Sequence, residues 1–338
     1  MATMTYREAL NLALSEEMRR DGRVFVIGGG LGSSDADEGT LRLLDEFDPR
    51  RVVHTHIAES GFAGVGIGAA MVGLRPVVEL MTFDFVTRAL DQIVNTAARL
   101  FYVSGGQYNV PIVIRGRGDP VQQLAVRHPQ SMARYFVDLP GLKVVGPSTP
   151  ADAKGLLKSA IRDDNPVIFI ESETLYSMKG EVPDDPDFTV PLGEAAVRRQ
   201  GHDVTVVALI GTAHCAMNAA EELEKDSISV EIVDPRTLRP MDERTIVRSV
   251  RKTHRAVVVD SGLGLVGLHS EIASFIGEQA FDDLDAPVER VMGADTPTSH
   301  AKNLEHLKTP TQEKIVAAVR RVCDANGNRT AAGATSIP

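Results

Sequence analysis

Val52-Val53-His54-Thr55-His56-Ile57-Ala58-Glu59-Ser60-Gly61-Phe62-Ala63-Gly64 is the stretch from which the fold is read. Val52-Val53 opens a short strand, small residues then run at helical length from Gly61 to Val72, and Pro76 to Leu80 reads as a second strand. A strand, a helix and another strand in succession make the unit of a parallel sheet. The alternation extends both ways. Upstream, Thr5-Tyr6-Arg7-Glu8 is a capping box, with Leu10, Ala13, Leu14 and Met18 behind it at helical spacing, and Val24 to Ile27 is a strand. Downstream come a helix from Phe85 to Tyr102, strands at Pro111 to Arg115, Val144-Val145 and Val167 to Ile170, and a helix from Ala151 to Arg162.

Between Lys179 and Gly193 the composition shifts. Glu181-Val182-Pro183-Asp184-Asp185-Pro186-Asp187 is acidic and proline-rich, as linkers are. Alternation then restarts. Strands are expected at Val204 to Leu209, Ser229 to Val233 and Ala256 to Asp260, and helices at Ala216 to Lys225, Glu243 to Arg251, Ser270 to Glu278 and Thr311 to Cys323. The pattern predicts an α/β protein of two domains, each a mainly parallel sheet flanked by helices. The expected bounds are 1–185 for the first domain, 186–200 for a linker, 201–324 for the second domain and 325–338 for a disordered tail.

Composition excludes some function classes. The 338 residues are 43% hydrophobic, and 46 acids against 36 bases give a formal charge of −10. That balance offers nucleic acid and anionic membranes no electrostatic attraction. No apolar run approaches the roughly 18 residues that a membrane span needs. Cys215 and Cys323 belong to no CxxC pair and read as reduced thiols. Without a basic-then-apolar start, a cytoplasmic location of bacterial type is expected, or an organellar matrix if a presequence has been removed.

The segment His54 to Gly64 resembles the heart of the beta subunits of pyruvate, branched-chain 2-oxo acid and acetoin dehydrogenases. Met4-Thr5-Tyr6-Arg7-Glu8-Ala9, Met81-Thr82-Phe83-Asp84-Phe85, Pro140-Gly141-Leu142-Lys143-Val144-Val145 and Arg236-Thr237-Leu238-Arg239-Pro240-Met241-Asp242 match the same family in order. The resemblance implies a transketolase-like pyrimidine-binding domain followed by a transketolase C-terminal domain. It also implies thiamin diphosphate as cofactor. The reaction implied is decarboxylation of a 2-oxo acid, or cleavage of an acyloin such as acetoin, with transfer of the acyl unit to a lipoyl group or another acceptor.

Site roles follow from the resemblance, position by position. Glu59 matches the glutamate that hydrogen-bonds the cofactor's aminopyrimidine nitrogen, helping the cofactor lose the proton from its reactive carbon. Ile57, Ala58, Phe62 and Ala63 give it apolar neighbours, which disfavour a charged acid in general. Taken alone, Glu59 would read as a surface acid before a helix, where the dipole favours it. Phe85 matches the aromatic packed on the aminopyrimidine, although core burial is the commonest fate of a phenylalanine. Ile57 lines the same cleft. His128 matches the family's active-site histidine, near substrate and lipoyl group, where an imidazole suits proton transfer. Ile112, Ala160, Ile161, Asp163 and Asn165 match residues whose backbone carbonyls hold potassium, a hard cation suited to carbonyl oxygen. A plain helix end is the alternative there.

Half of a cofactor site is missing. The Gly-Asp-Gly signature of a diphosphate and Mg²⁺ loop is absent, and Gly118-Asp119-Pro120 is the nearest approach. Gly28-Gly29-Gly30-Leu31-Gly32 is no dinucleotide loop, because Ser33 stands where the last glycine belongs. In the family an alpha subunit supplies the diphosphate half and holds Mg²⁺ in an alpha2-beta2 heterotetramer, which docks in some cases on a lipoyl acyltransferase core. The glycine-spaced helix at Gly61, Gly64, Gly66 and Gly68 is expected at a subunit interface. The chain departs from the family at Gly29 and Gly30, where acids are usual, at Thr55-His56 in place of Thr-Pro, and in the charged, amide-rich loop 117–127. These departures leave an acyloin-forming carboligase open as an alternative, and a non-catalytic scaffold subunit as a second.

Overall fold

The computed structural model describes residues 1–29, 31, 43–118, 131–297, 299, 301, 304 and 307–324. In chain order the strands are β1 (Ala2–Thr5), β2 (Val24–Gly29), β3 (Val52–Thr55), β4 (Arg75–Leu80), β5 (Val113–Arg117), β6 (Lys143–Val145) and β7 (Val167–Glu171). They continue as β8 (Lys179–Val182), β9 (Ala196–Arg199), β10 (Val204–Ala208), β11 (Val230–Asp234), β12 (Thr237–Arg239), β13 (Ala256–Leu263) and β14 (Glu289–Gly293). One sheet runs β12-β6-β7-β5-β4-β2-β3 and the other β14-β13-β10-β11-β9. Within the first, β2 to β7 are all parallel and β12 is antiparallel to β6. Within the second, only β9 is antiparallel. The two-domain α/β, mainly parallel reading of the sequence is the observed fold.

Every residue of β2, β7, β10 and β11 is buried, which explains the continuous apolar runs Val24 to Ile27 and Val167 to Ile170. The capping box forms as read. Glu8 N donates to Thr5 Oγ1 at 3.2 Å, and Thr5 N donates to Glu8 Oε2 at 2.7 Å. The helix it starts, Tyr6–Arg20, packs with the helix Pro150–Arg162 on one face of the first sheet through Leu10, Leu14, Ala153 and Leu157. The core on the other face joins Ile67, Ile93 and Ile112 to Val207, Leu238 and Ile246.

Three expectations are corrected. The stretch read as linker contains β9, a half-buried edge strand whose AVRR sequence hides its pairing with β11. Arg198, on that strand, donates to Asp234 Oδ2 at 2.7 Å, so a charged residue forms part of the sheet's fastening. The acidic, proline-rich segment before it is also tied down. Fully buried Lys154 donates to the Pro183 carbonyl at 3.0 Å and pairs with Glu16 at 3.0 Å. Finally, Phe85 to Tyr102 is not one α-helix. A 3₁₀ segment Phe83–Ala89, a π segment Gln92–Ala97 and an α-helix Ala98–Val103 follow one another. Among the described residues, no helix is long and apolar enough to cross a membrane.

Candidate cofactor site

The helix after β3 begins earlier than its glycines suggest, at Glu59, and runs to Met71. Glu59 is therefore its first residue, over the positive end of the helix dipole. Phe62 and Ala63, one turn on, are buried in the core and hold this end of the helix against the sheet. The Glu59 carboxylate is only 4% exposed, whereas Ile57, two residues before it, is 61% exposed at the mouth of the same turn. Gly29, at the end of β2, lets this turn come close. A Cβ on Gly29 would lie 3.2 Å from the Ile57 Cα, tighter than nearly all real contacts, so the glycine and the path of residues 56–58 belong together.

Phe85 lies in the 3₁₀ segment after β4, half-buried. Arg88, one turn further on, connects it to Glu59. Its guanidinium carbon lies 5.7 Å from the Phe85 ring centroid, and Nη1 is 3.6 Å from Glu59 Oε2. Glu59, Phe85 and Ile57 thus come together at the carboxyl ends of β2, β3 and β4, where open parallel sheets bind ligands. A buried carboxylate beside an accessible aromatic face suits an aminopyrimidine, so these residues fit that half of thiamin diphosphate. His128 lies outside the described residues. So do Asp119 and Pro120, and most of the charged loop 117–127.

The sequence reading missed Arg88, although its spacing from Phe85 at one helical turn would have placed the two on one face. It also missed Arg117. From the end of β5, Arg117 Nε donates to the Met81 carbonyl at 2.8 Å, and Nη1 reaches Glu173 Oε1 at 3.2 Å. This clamp fixes the start of the segment that carries Phe85.

Of the five residues expected to hold potassium, Ile161 and Asp163 meet a different cation. Arg75 Nη1 donates to the Ile161 carbonyl at 3.0 Å and to the Asp163 carbonyl at 2.9 Å, and Nη2 bonds the Asp164 carboxylate. The Ile112 carbonyl accepts from Val167 N at 2.9 Å, and that of Ala160 from Asp163 N at 3.3 Å. A carbonyl has two lone pairs, so each retains a second acceptor direction. At the Ile161 and Asp163 carbonyls, any monovalent ion would have to compete with the guanidinium. Among the described residues, no group of three His, Cys, Asp or Glu side chains is placed to hold a metal.

Comparison with known proteins shows the family. Residues 2–179 match the family model of the transketolase pyrimidine-binding domain, and residues 193–315 that of the transketolase C-terminal domain. The chain is 51% identical over 325 residues to the pyruvate dehydrogenase E1 component subunit beta of Rhizobium meliloti (strain 1021), covering 96% of this chain and 70% of the relative. It is 45% identical over 327 residues to the mitochondrial pyruvate dehydrogenase E1 component subunit beta of Dictyostelium discoideum, covering 96% and 92%. Among solved structures, a split-gene transketolase described as an inactive beta4 tetramer superposes with a TM-score of 0.75 at 25% identity, over 95% of this chain and 99% of that one. The chain belongs to the transketolase-like family of 2-oxo acid dehydrogenase beta subunits.

Proposed function

We propose that this chain is the beta subunit of a thiamin-diphosphate enzyme that decarboxylates a 2-oxo acid, with pyruvate the first candidate, and passes the acyl unit to a lipoyl group. The observation that carries the reading is Glu59, a carboxylic acid 4% exposed beside half-buried Phe85 and exposed Ile57, in a family of such subunits. When bound, thiamin diphosphate supplies the nucleophilic carbon and the electron sink that loss of CO₂ from a 2-oxo acid requires. Glu59 would hold a proton at the aminopyrimidine nitrogen, and Phe85 and Ile57 would line the cleft that takes the ring. His128 is assigned the proton transfers nearest the substrate.

The diphosphate and Mg²⁺ belong on a separate alpha subunit in an alpha2-beta2 assembly. The helix Glu59–Met71 supports this, because it leaves an apolar face in solvent. Val65 is 59% exposed and Val72 81% exposed. An added Cβ at Gly68 would touch nothing within 4 Å, and one at Gly61 only the Ala58 Cβ. Residues at this spacing form one helical stripe, which another helix would cover. The test is co-expression with an alpha subunit carrying the Gly-Asp-Gly loop, followed by CO₂ release from pyruvate and other 2-oxo acids. Turnover that needs both chains supports the reading. Acyloin formation without transfer to a lipoyl domain would replace it with carboligation.

A further inference from the structure

We propose that Arg88 is a displaceable latch on the cofactor half-site. It stands against Glu59 and Phe85, and an aminopyrimidine ring binding there would displace it. The inference rests on the site reading above and adds a residue to it. Two contacts define the latch. Arg88 Nη1 is 3.6 Å from the Glu59 carboxylate, and its guanidinium stands over the Phe85 ring at 5.7 Å. These are the same two groups that the aminopyrimidine needs, one as hydrogen-bond partner and one as stacking surface.

The latch has a physical purpose. A carboxylate 4% exposed is costly without a compensating cation. Among the described residues, Arg88 is the cation that pairs with Glu59. The latch is also easy to open. Arg88 is 64% exposed, and 3.6 Å is longer than a normal hydrogen bond, so water replaces what the guanidinium loses. Exposed ion pairs and exposed cation–π contacts are each weak. The cofactor therefore competes with a small, salt-sensitive interaction rather than a fixed one.

The test is calorimetric titration of thiamin diphosphate with Mg²⁺ into the reconstituted complex, comparing wild type with Arg88→Gln, Glu59→Gln and the double variant. Arg88→Gln, at an exposed position, should tighten binding about fivefold at low salt. The gain should shrink in high salt, because screening already weakens the latch in wild type. In the Glu59→Gln background the gain should fall below twofold, because the ion pair is already gone. Unchanged or weaker binding by Arg88→Gln, with Glu59→Gln still altering affinity, overturns the latch alone. If Glu59→Gln leaves cofactor affinity untouched, the site reading itself fails, whatever Arg88 does.

Discussion

Arg115 grips Glu171 with both arms: Nε meets Oε1 at 2.6 Å and Nη2 meets Oε2 at 3.2 Å, across the neighbouring strands β5 and β7. Both side chains are buried, and Tyr176 donates to the same carboxylate at 2.6 Å. Burial works to lower the arginine pKa, and the charges of Glu171 and Glu79 outweigh it, holding the guanidinium well above its ordinary value. Removing Arg115 leaves the buried Glu171 carboxylate without its guanidinium, with Tyr176 still donating to it. Arg115→Met should cost about 3–5 kcal/mol in denaturant unfolding. The double variant Arg115→Met, Glu171→Gln should cost less than the sum of the two single changes. Additive losses would mean that the pair is not coupled.

The carboxyl of Asp21, just before β2, is lowered from 3.8 to about 2, chiefly by its hydrogen bond with Arg23. A carboxylate whose folded pKa is depressed contributes stability above its unfolded value, and that contribution is lost as pH falls from 3.8 to about 2. Arg23 is 57% exposed, so solvent screening limits the effect to about 1 kcal/mol. Asp21→Asn should therefore lower stability at neutral pH by no more than that. The wild-type and variant curves should converge near pH 2. A constant gap across the whole acid range would assign the effect to packing instead.

Arg75 supplies the donors for the Ile161 and Asp163 carbonyls. Arg75→Ala leaves both without that partner, and an unmet polar group costs about 1–3 kcal/mol when buried. We expect a lower melting temperature, partly restored by potassium and less by lithium at equal concentration, through binding linkage. Wild type should respond to potassium more weakly than the variant. Identical melting in the two salts for both proteins would show that these carbonyls bind no monovalent ion.

The parallel strands were legible because burial on both faces leaves uninterrupted apolar runs such as Val167 to Ile170. Edge and pairing strands were not. β9 carries two arginines that make ion pairs, and β12 is three residues long and joins the sheet of the other half. At the site, Glu59 was legible only through motif resemblance, since a glutamate at a helix start has the same local sequence whether buried or exposed. Arg88 left no such trace. Its meaning depends on the 3₁₀ turn that aims it at Glu59, a backbone detail that residue types alone do not encode.

Assembly has its own test at Gly68. The position is open, since an added Cβ there has no described atom within 4 Å. Gly68→Leu should leave the subunit folded, with its melting temperature within a few degrees of wild type. The same side chain would project from the exposed stripe of Val65 and Val72 into any partner helix. Analytical ultracentrifugation with the alpha subunit should then show loss of the heterotetramer, and calorimetry loss of tight cofactor binding. An intact heterotetramer would move the interface away from this stripe.

Glu59→Gln tests the chemistry most directly. The amide keeps the shape of the acid and one hydrogen bond, and the buried position tolerates a neutral group. What it removes is the proton that the acid can give to and take from the aminopyrimidine nitrogen. Such assistance is commonly worth about 10²–10⁴-fold in rate. In the reconstituted complex, deuterium incorporation at the cofactor's reactive carbon should slow by that order, while circular dichroism reports an unchanged fold. Because exchange is measured without substrate, the result does not depend on which 2-oxo acid the enzyme uses. Exchange at the wild-type rate in Glu59→Gln would remove Glu59 from the role of activating acid and leave it as a buried helix-start carboxylate.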